Sequence, residues 1–102
     1  MLNSWAFIFC SPGYNRHDHT IVLDNGQTKV TLIGVDMTER DQCIEIAKEL
    51  VSQGCQMIEL CGAFGPLYIA KVKQATDYKI PVGSTMYGPE DRGPMLELTK
   101  RQ

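Results

Sequence analysis

Two side chains equipped for chemistry, Glu59 and Cys61, stand two residues apart in IELCGAFGP, residues 58–66. The run is short, apolar and closed by glycine, so it reads as a strand entering a tight turn. Side chains alternate along a strand, which puts Met57, Glu59 and Cys61 on one face and Ile58 and Leu60 on the other. With both faces covered, Glu59 would be a carboxylate drawn out of water. Such a group finds a partner or has its pKa raised, and either outcome suits a working acid or base. The bland alternative is a carboxylate at a wet sheet edge, or one paired with Lys or Arg as packing.

Cys61 directly precedes GAFGP, at the mouth of the helix that Pro66 can open. A helix N-terminus lowers a thiol's pKa and offers backbone N–H groups to an anion. Gly62, Ala63, Phe64 and Gly65 are therefore a candidate ligand loop, and Cys61 is a candidate nucleophile. An inert cysteine beside turn glycines is the competing reading. The GxxG spacing is neither a Walker loop nor a dinucleotide fingerprint. A third candidate is His19 in PGYNRHDH, which adjoins the apolar TIVL run and can be drawn toward the sheet. There an imidazole shuttles protons near neutrality. His17 and Asp18 read as solvated, and Asp36, Tyr87 and Arg92 are further polar groups near strand ends.

Positioning these groups requires a sheet. SWAFIFC, residues 4–10, is aromatic and apolar enough for a strand, stopped by Ser11-Pro12-Gly13. TIVL and KVTLIGV flank Asp24-Asn25-Gly26-Gln27 and form a hairpin. Because VTLIGV is apolar at nearly every position, it reads as covered on both faces. Asp36 or Thr38 caps a helix whose stripe is Cys43, Ile44, Ile46, Ala47, Leu50 and Val51, stopped at Gly54. Strand 56–61 follows, then a helix from Pro66 to about Tyr78 and a strand from Ile80 to Met86. The order β-α-β-α-β over residues 29–86 implies right-handed crossovers and a parallel sheet. The expected fold is a single small α/β domain, mainly parallel, with helices packed on the sheet and the N-terminal strand and hairpin added at unassigned positions. It spans residues 1–88. Residues 89–102 form a breaker-rich loop and a short tail that either docks on a neighbouring subunit or frays.

At 102 residues the chain is one domain near the lower size limit for an unaided core, which makes a homo-oligomer a natural source of added stability. The balance of ten basic and twelve acidic side chains, with no dense basic run, argues against nucleic acid. MLNSWAFIFC has neither a basic n-region nor a span-length apolar run, so a cytoplasmic protein with no membrane partner is expected. Cysteines at 10, 43, 55 and 61 make no CxxC pair, which disfavours a structural metal and leaves reduced thiols.

WAFIF with PGYNRHDH, the VTLIGV strand, AKELVSQGCQMIELCGAFGP and KIPVGSTMYG together resemble a family of small bacterial proteins known only as a domain of unknown function. The likeness covers about residues 4–88. Its most specific element is IELCGxFG, with Ala63 where the family has a second glycine, and the loop keeps Pro12, Gly13 and His19 but carries Arg16 in place of a proline. The resemblance implies that His19, Glu59, Cys61, Gly62 and Gly65 belong to a family signature, and it implies no activity. A weaker similarity to one βαβ step of aldolase-type barrels is an analogy of strand-end loops only, since a barrel needs about 250 residues.

The residues thus point to a small anionic metabolite held at the GAFGP loop. If there is catalysis, it is cofactor-independent acid/base chemistry of the isomerase or lyase kind, with His19, Glu59 and Cys61 as its groups. The rival is a non-catalytic homo-oligomeric binding or assembly module, in which the signature glycines and Glu59 shape an interface.

Overall fold

The computed structural model describes residues 1–100. Five strands make one sheet: β1 (Ser4–Cys10), β2 (Thr20–Asp24), β3 (Lys29–Val35), β4 (Ile58–Leu60) and β5 (Val82–Ser84), in the order β2-β3-β1-β4-β5. β1 pairs in parallel with β3 and β4, β4 in parallel with β5, and only the edge strand β2 runs antiparallel. The fold is α/β and mainly parallel, and the strand left unplaced by sequence, β1, is its centre.

The hairpin between β2 and β3 forms as its turn chemistry implied. Gly26 takes φ 87°, and the Asp24 and Asn25 side chains accept the N–H groups of Gly26, Gln27 and Thr28 at 2.9 Å. After β3, Asp36 caps only a 3-10 turn, Met37–Glu39, and α1 (Gln42–Ser52) starts later than the capping pattern predicted. α1 ends at Ser52, and Gly54 just beyond it takes φ 94°. α2 (Gly65–Ala75) stops three residues before Tyr78. Asp77 and Tyr78 turn left-handed there, and the Thr76 hydroxyl donates to the Val72 carbonyl at 2.9 Å. In the tail, Pro89–Asp91 is a 3-10 turn and α3 (Arg92–Thr99) is helical, with no residue buried. Helix is compatible with Pro94, because a proline in the first turn gives up only an N–H that has no partner within the helix. Residues 101–102 of the tail lie outside the described residues.

Both β-α-β steps advance the same way across the sheet, from β3 over β1 to β4 and from β4 to β5. Right-handed crossovers then place α1 and α2 on the same face. The core is the result: Ala6, Ile8, Ile33, Val35, Ile58 and Leu60 are buried against Cys43, Ile46, Ala47 and Val72. The expectation that VTLIGV is covered on both faces is corrected. Thr31, Ile33 and Val35 are buried, whereas Val30 and Leu32 on the opposite pleat are only half-buried, since neither α1 nor α2 reaches that side. No helix of the described residues is long and apolar enough to cross a membrane.

Candidate functional site

The carboxyl ends of β1, β3 and β4 open into three loops that meet. Asp36, after β3, accepts the Gly13 N–H at 2.7 Å and the Thr38 N–H at 2.8 Å, tying the first loop to the second. The Thr38 hydroxyl, and after it these two bonds, hold its carboxyl below the usual aspartate range. From the same second loop Arg40 reaches the third: its guanidinium donates to the Ala63 carbonyl at 3.0 Å, within GAFGP. The topology sets this meeting, because all three strands are parallel and finish at the same edge.

Within GAFGP, Gly62 and Ala63 are exposed, Phe64 is buried and Gly65 has φ 78°. Phe64 stands at the N-cap of α2 and has no oxygen to cap it, so no side chain bonds the first-turn amides. Around that end lie three more groups. Tyr68 packs edge-on to Phe64 at 5.5 Å and donates its hydroxyl to Asp41 at 2.9 Å, a bond that raises the phenol's pKa. Arg40 and Lys71 flank the Tyr68 ring, 5.5 and 4.9 Å from its centroid. Two cations near uncapped N–H groups suit an anion, and the Asp41 carboxylate beside Tyr68 opposes one.

Cys61 lies at the root of this loop, half-buried, and turns to β1. Its sulfur accepts the Cys10 N–H at 3.3 Å and lies 3.8 Å from the Cys10 sulfur. Burial, and next to it Cys61, pushes the Cys10 thiol up to about 12. Of the two, Cys61 is the accessible sulfur.

The other two expected groups sit apart from this loop. Glu59 is in register with Phe7 and Gly83, half-buried on the pleat facing away from the helices. His19 has been drawn to the sheet: its carbonyl accepts the Gly34 N–H at 2.9 Å and its ring lies 4.8 Å from Tyr14. The His19 Nδ1 accepts the Asn15 N–H at 3.0 Å, which leaves Nε2 to carry any proton. β3 and β1 stand between His19 and Glu59, about 14 Å at normal strand spacing. One chain therefore does not unite them. His17, read as solvated, is exposed and lines a depression of about 440 Å³ with Asn15, Arg16, Gln42 and Glu45, away from GAFGP.

Arg40, Tyr68 and Lys71 escaped the sequence reading. Arg40 was recoverable, since it follows the β3 end by five residues and strand-end loops converge in a parallel sheet. Tyr68 and Lys71 occupy the first turns of α2, and only the packing of α2 beside α1 brings them to Arg40 and Asp41.

A family model described as a family of unknown function, DUF6506, matches residues 3–100. The chain belongs to this family. The DUF6506 match runs through α3, so the family extends past residue 88, where the sequence resemblance stopped. No curated protein and no solved structure matches the chain. The chemistry of this DUF6506 protein accordingly rests on its own geometry.

Proposed function

We propose that the protein binds a small anionic metabolite at the carboxyl ends of its parallel strands, over residues 62–65. One observation carries this reading: Arg40 is held over a helix N-terminus whose amides have no side-chain cap. A carboxylate or phosphate seated there would receive charge-assisted hydrogen bonds from Arg40 and backbone N–H groups, with Lys71 adding positive charge nearby. If the ligand is turned over, the reaction is a proton transfer of the isomerase or lyase kind that needs no bound cofactor. Cys61 is the proton carrier nearest the loop. Glu59, on the helix-free pleat of β4, and His19, with β3 and β1 between them, are the other two candidate proton carriers.

The alternative, a homo-oligomeric binding or assembly module without catalysis, is favoured by a separate observation, the apolar side chains that the single chain leaves uncovered. Anion binding at the strand ends and self-association are compatible in one protein and fail separately.

A thermal-shift screen of small carboxylate- and phosphate-bearing metabolites tests the ligand reading, because binding to the native state raises its stability. At least one such compound should raise the melting temperature of the wild type and lose that effect in Arg40→Gln. Comparing Cys61→Ser, Glu59→Gln and His19→Ala then shows which of these groups the ligand depends on. A stabilising ligand whose effect survives Arg40→Gln, or no stabilising anion at all, would reject the site.

A further inference from the structure

We infer that Cys10 and Cys61 form a redox-active dithiol, which a peroxide converts to a disulfide within one chain. Oxidation of the pair does not depend on the ligand reading, although Cys61 roots the same loop. Its readout is covalent, so either can fail alone.

The strand ladder brings the two sulfurs together. Alternate residues of β1 turn their N–H groups to β4, beginning with Ala6, which donates to the Met57 carbonyl at 3.1 Å. Continued to Cys10, this pattern calls for the Cys61 carbonyl as acceptor. That carbonyl instead turns into the loop and accepts the Phe64 N–H at 3.1 Å. The Cys61 sulfur takes its place, accepting the Cys10 N–H at 3.3 Å, and is thereby held 3.8 Å from the Cys10 sulfur.

The backbone suits a bridge as well. Cys61 donates its N–H to the Ile8 carbonyl, which sets it level with Phe9 and leaves Cys10 one residue further on. Strand spacing of about 4.8 Å and a rise of about 3.3 Å then put the two Cα atoms about 6 Å apart. Disulfides span roughly 4.4–6.8 Å between Cα atoms. Closing the sulfurs to the roughly 2.05 Å of an S–S bond takes less than about 2 Å of movement. Cys10 is fixed in the central strand, in register with Val35, so Cys61, just past the end of β4, supplies it.

Unequal access orders the two steps. Cys61 is half-buried beside exposed Gly62 and Ala63, whereas Cys10 is 7% exposed. Cys61 therefore meets the peroxide, ROOH, first: an S–O bond forms, the O–O bond breaks, and the thiol proton leaves with the departing oxygen as ROH. The Cys10 sulfur then attacks the Cys61 sulfenic acid. An S–S bond forms, the S–O bond breaks, and the Cys10 proton leaves with the hydroxyl as water. The two sulfurs together lose two electrons and the peroxide gains them. The other thiols are set apart: Cys43 has no exposure, and Cys55, at the amino end of β4, donates its thiol to the Met57 carbonyl at 3.3 Å.

Treated with a few equivalents of hydrogen peroxide, the folded full chain should fall from four free thiols to two. Peptide mapping without reductant should find Cys10 joined to Cys61 within one chain, and dithiothreitol should restore all four thiols. Cys10→Ser should stop at the Cys61 sulfenic acid, captured by dimedone, and Cys61→Ser should keep its remaining thiols. The wild-type map decides the pairing should either variant fail to fold. In urea the pairing should change, because loop closure favours Cys55 with Cys61 over partners 51 residues apart. Four thiols surviving peroxide, Cys55–Cys61 as the main product of the folded chain, or a bridge between two chains would each overturn the inference. So would a Cys61→Ser chain that still loses thiols while folded.

Discussion

The two faces of the sheet carry comparable apolar side chains on alternate residues of the same strands, and they end in different states. Ala6, Ile8 and Cys10 are buried under α1 and α2, whereas Trp5, Phe7 and Phe9, one pleat away, are half-buried with no helix over them. Side-chain chemistry does not make this difference. Handedness does, since both crossovers advance in one direction and must return over the same face. An apolar pleat is thus necessary for a covered face and insufficient to secure one within a single chain.

The largest effect that tests this contrast is a cavity. Ile8→Ala, at a side chain with no exposure in the central strand, should cost about 2–5 kcal/mol in urea unfolding. Phe7→Ala, next to it on the open face, should cost less, about 1–2 kcal/mol for a half-buried ring. Equal losses for the two would mean that the faces are not distinct.

Gly34→Ala sharpens the comparison by crowding the open face from within. Its Cβ would meet the rings of Phe9 and Tyr14, at a cost of about 1–3 kcal/mol by the same unfolding assay. A neutral result would show that Tyr14, on its exposed loop, gives way.

Thiol reactivity distinguishes the strand-end loop from the core kinetically. Cys61 should alkylate first. Cys10 and Cys43, each pushed up to about 12 by burial, should react only as the chain unfolds. Their raised folded-state values have a consequence at high pH. Below the ordinary thiol value of 9.0 both states keep the proton, and above it only the unfolded chain releases it. Stability should therefore fall as the pH climbs from 9.0 toward about 12. A flat alkaline profile would contradict the burial of these thiols.

The smallest effect belongs to Asp36. Its folded-state pKa lies below the ordinary 3.8, so its contribution is complete above 3.8 and disappears as the pH falls through the lower folded value. Asp36→Asn should slightly lower the melting temperature at neutral pH and flatten the acid limb, as read by thermal melts between pH 2 and 6. An unchanged acid limb would show that the Gly13 and Thr38 bonds do not steady the strand-end loops.

Much of the candidate site was legible one residue at a time. The GAFGP turn, the helix behind Pro66 and the approach of His19 to the sheet follow from local signals: glycine where φ is positive, proline in a first turn, an imidazole beside TIVL. The assembly of those residues was not legible. Glu59 and Cys61 share a strand face by simple alternation, yet β4 ends at Leu60 and Cys61 turns to Cys10 while Glu59 stays on the open pleat. Arg40 entered the site through a carbonyl bond across 23 residues, a contact that no spacing rule encodes.

By itself the sequence determined the elements and the class of fold, because periodicity, caps and turn residues act within a few residues of one another. The parallel β-α-β-α-β run followed from those elements and from the hand of their crossovers. Only the tertiary structure decided that β1 is central, that both helices share one face, and that two strands stand between His19 and Glu59. Those outcomes depend on which strand edges pair over long separations, and many pairings satisfy the same local pattern until one core closes.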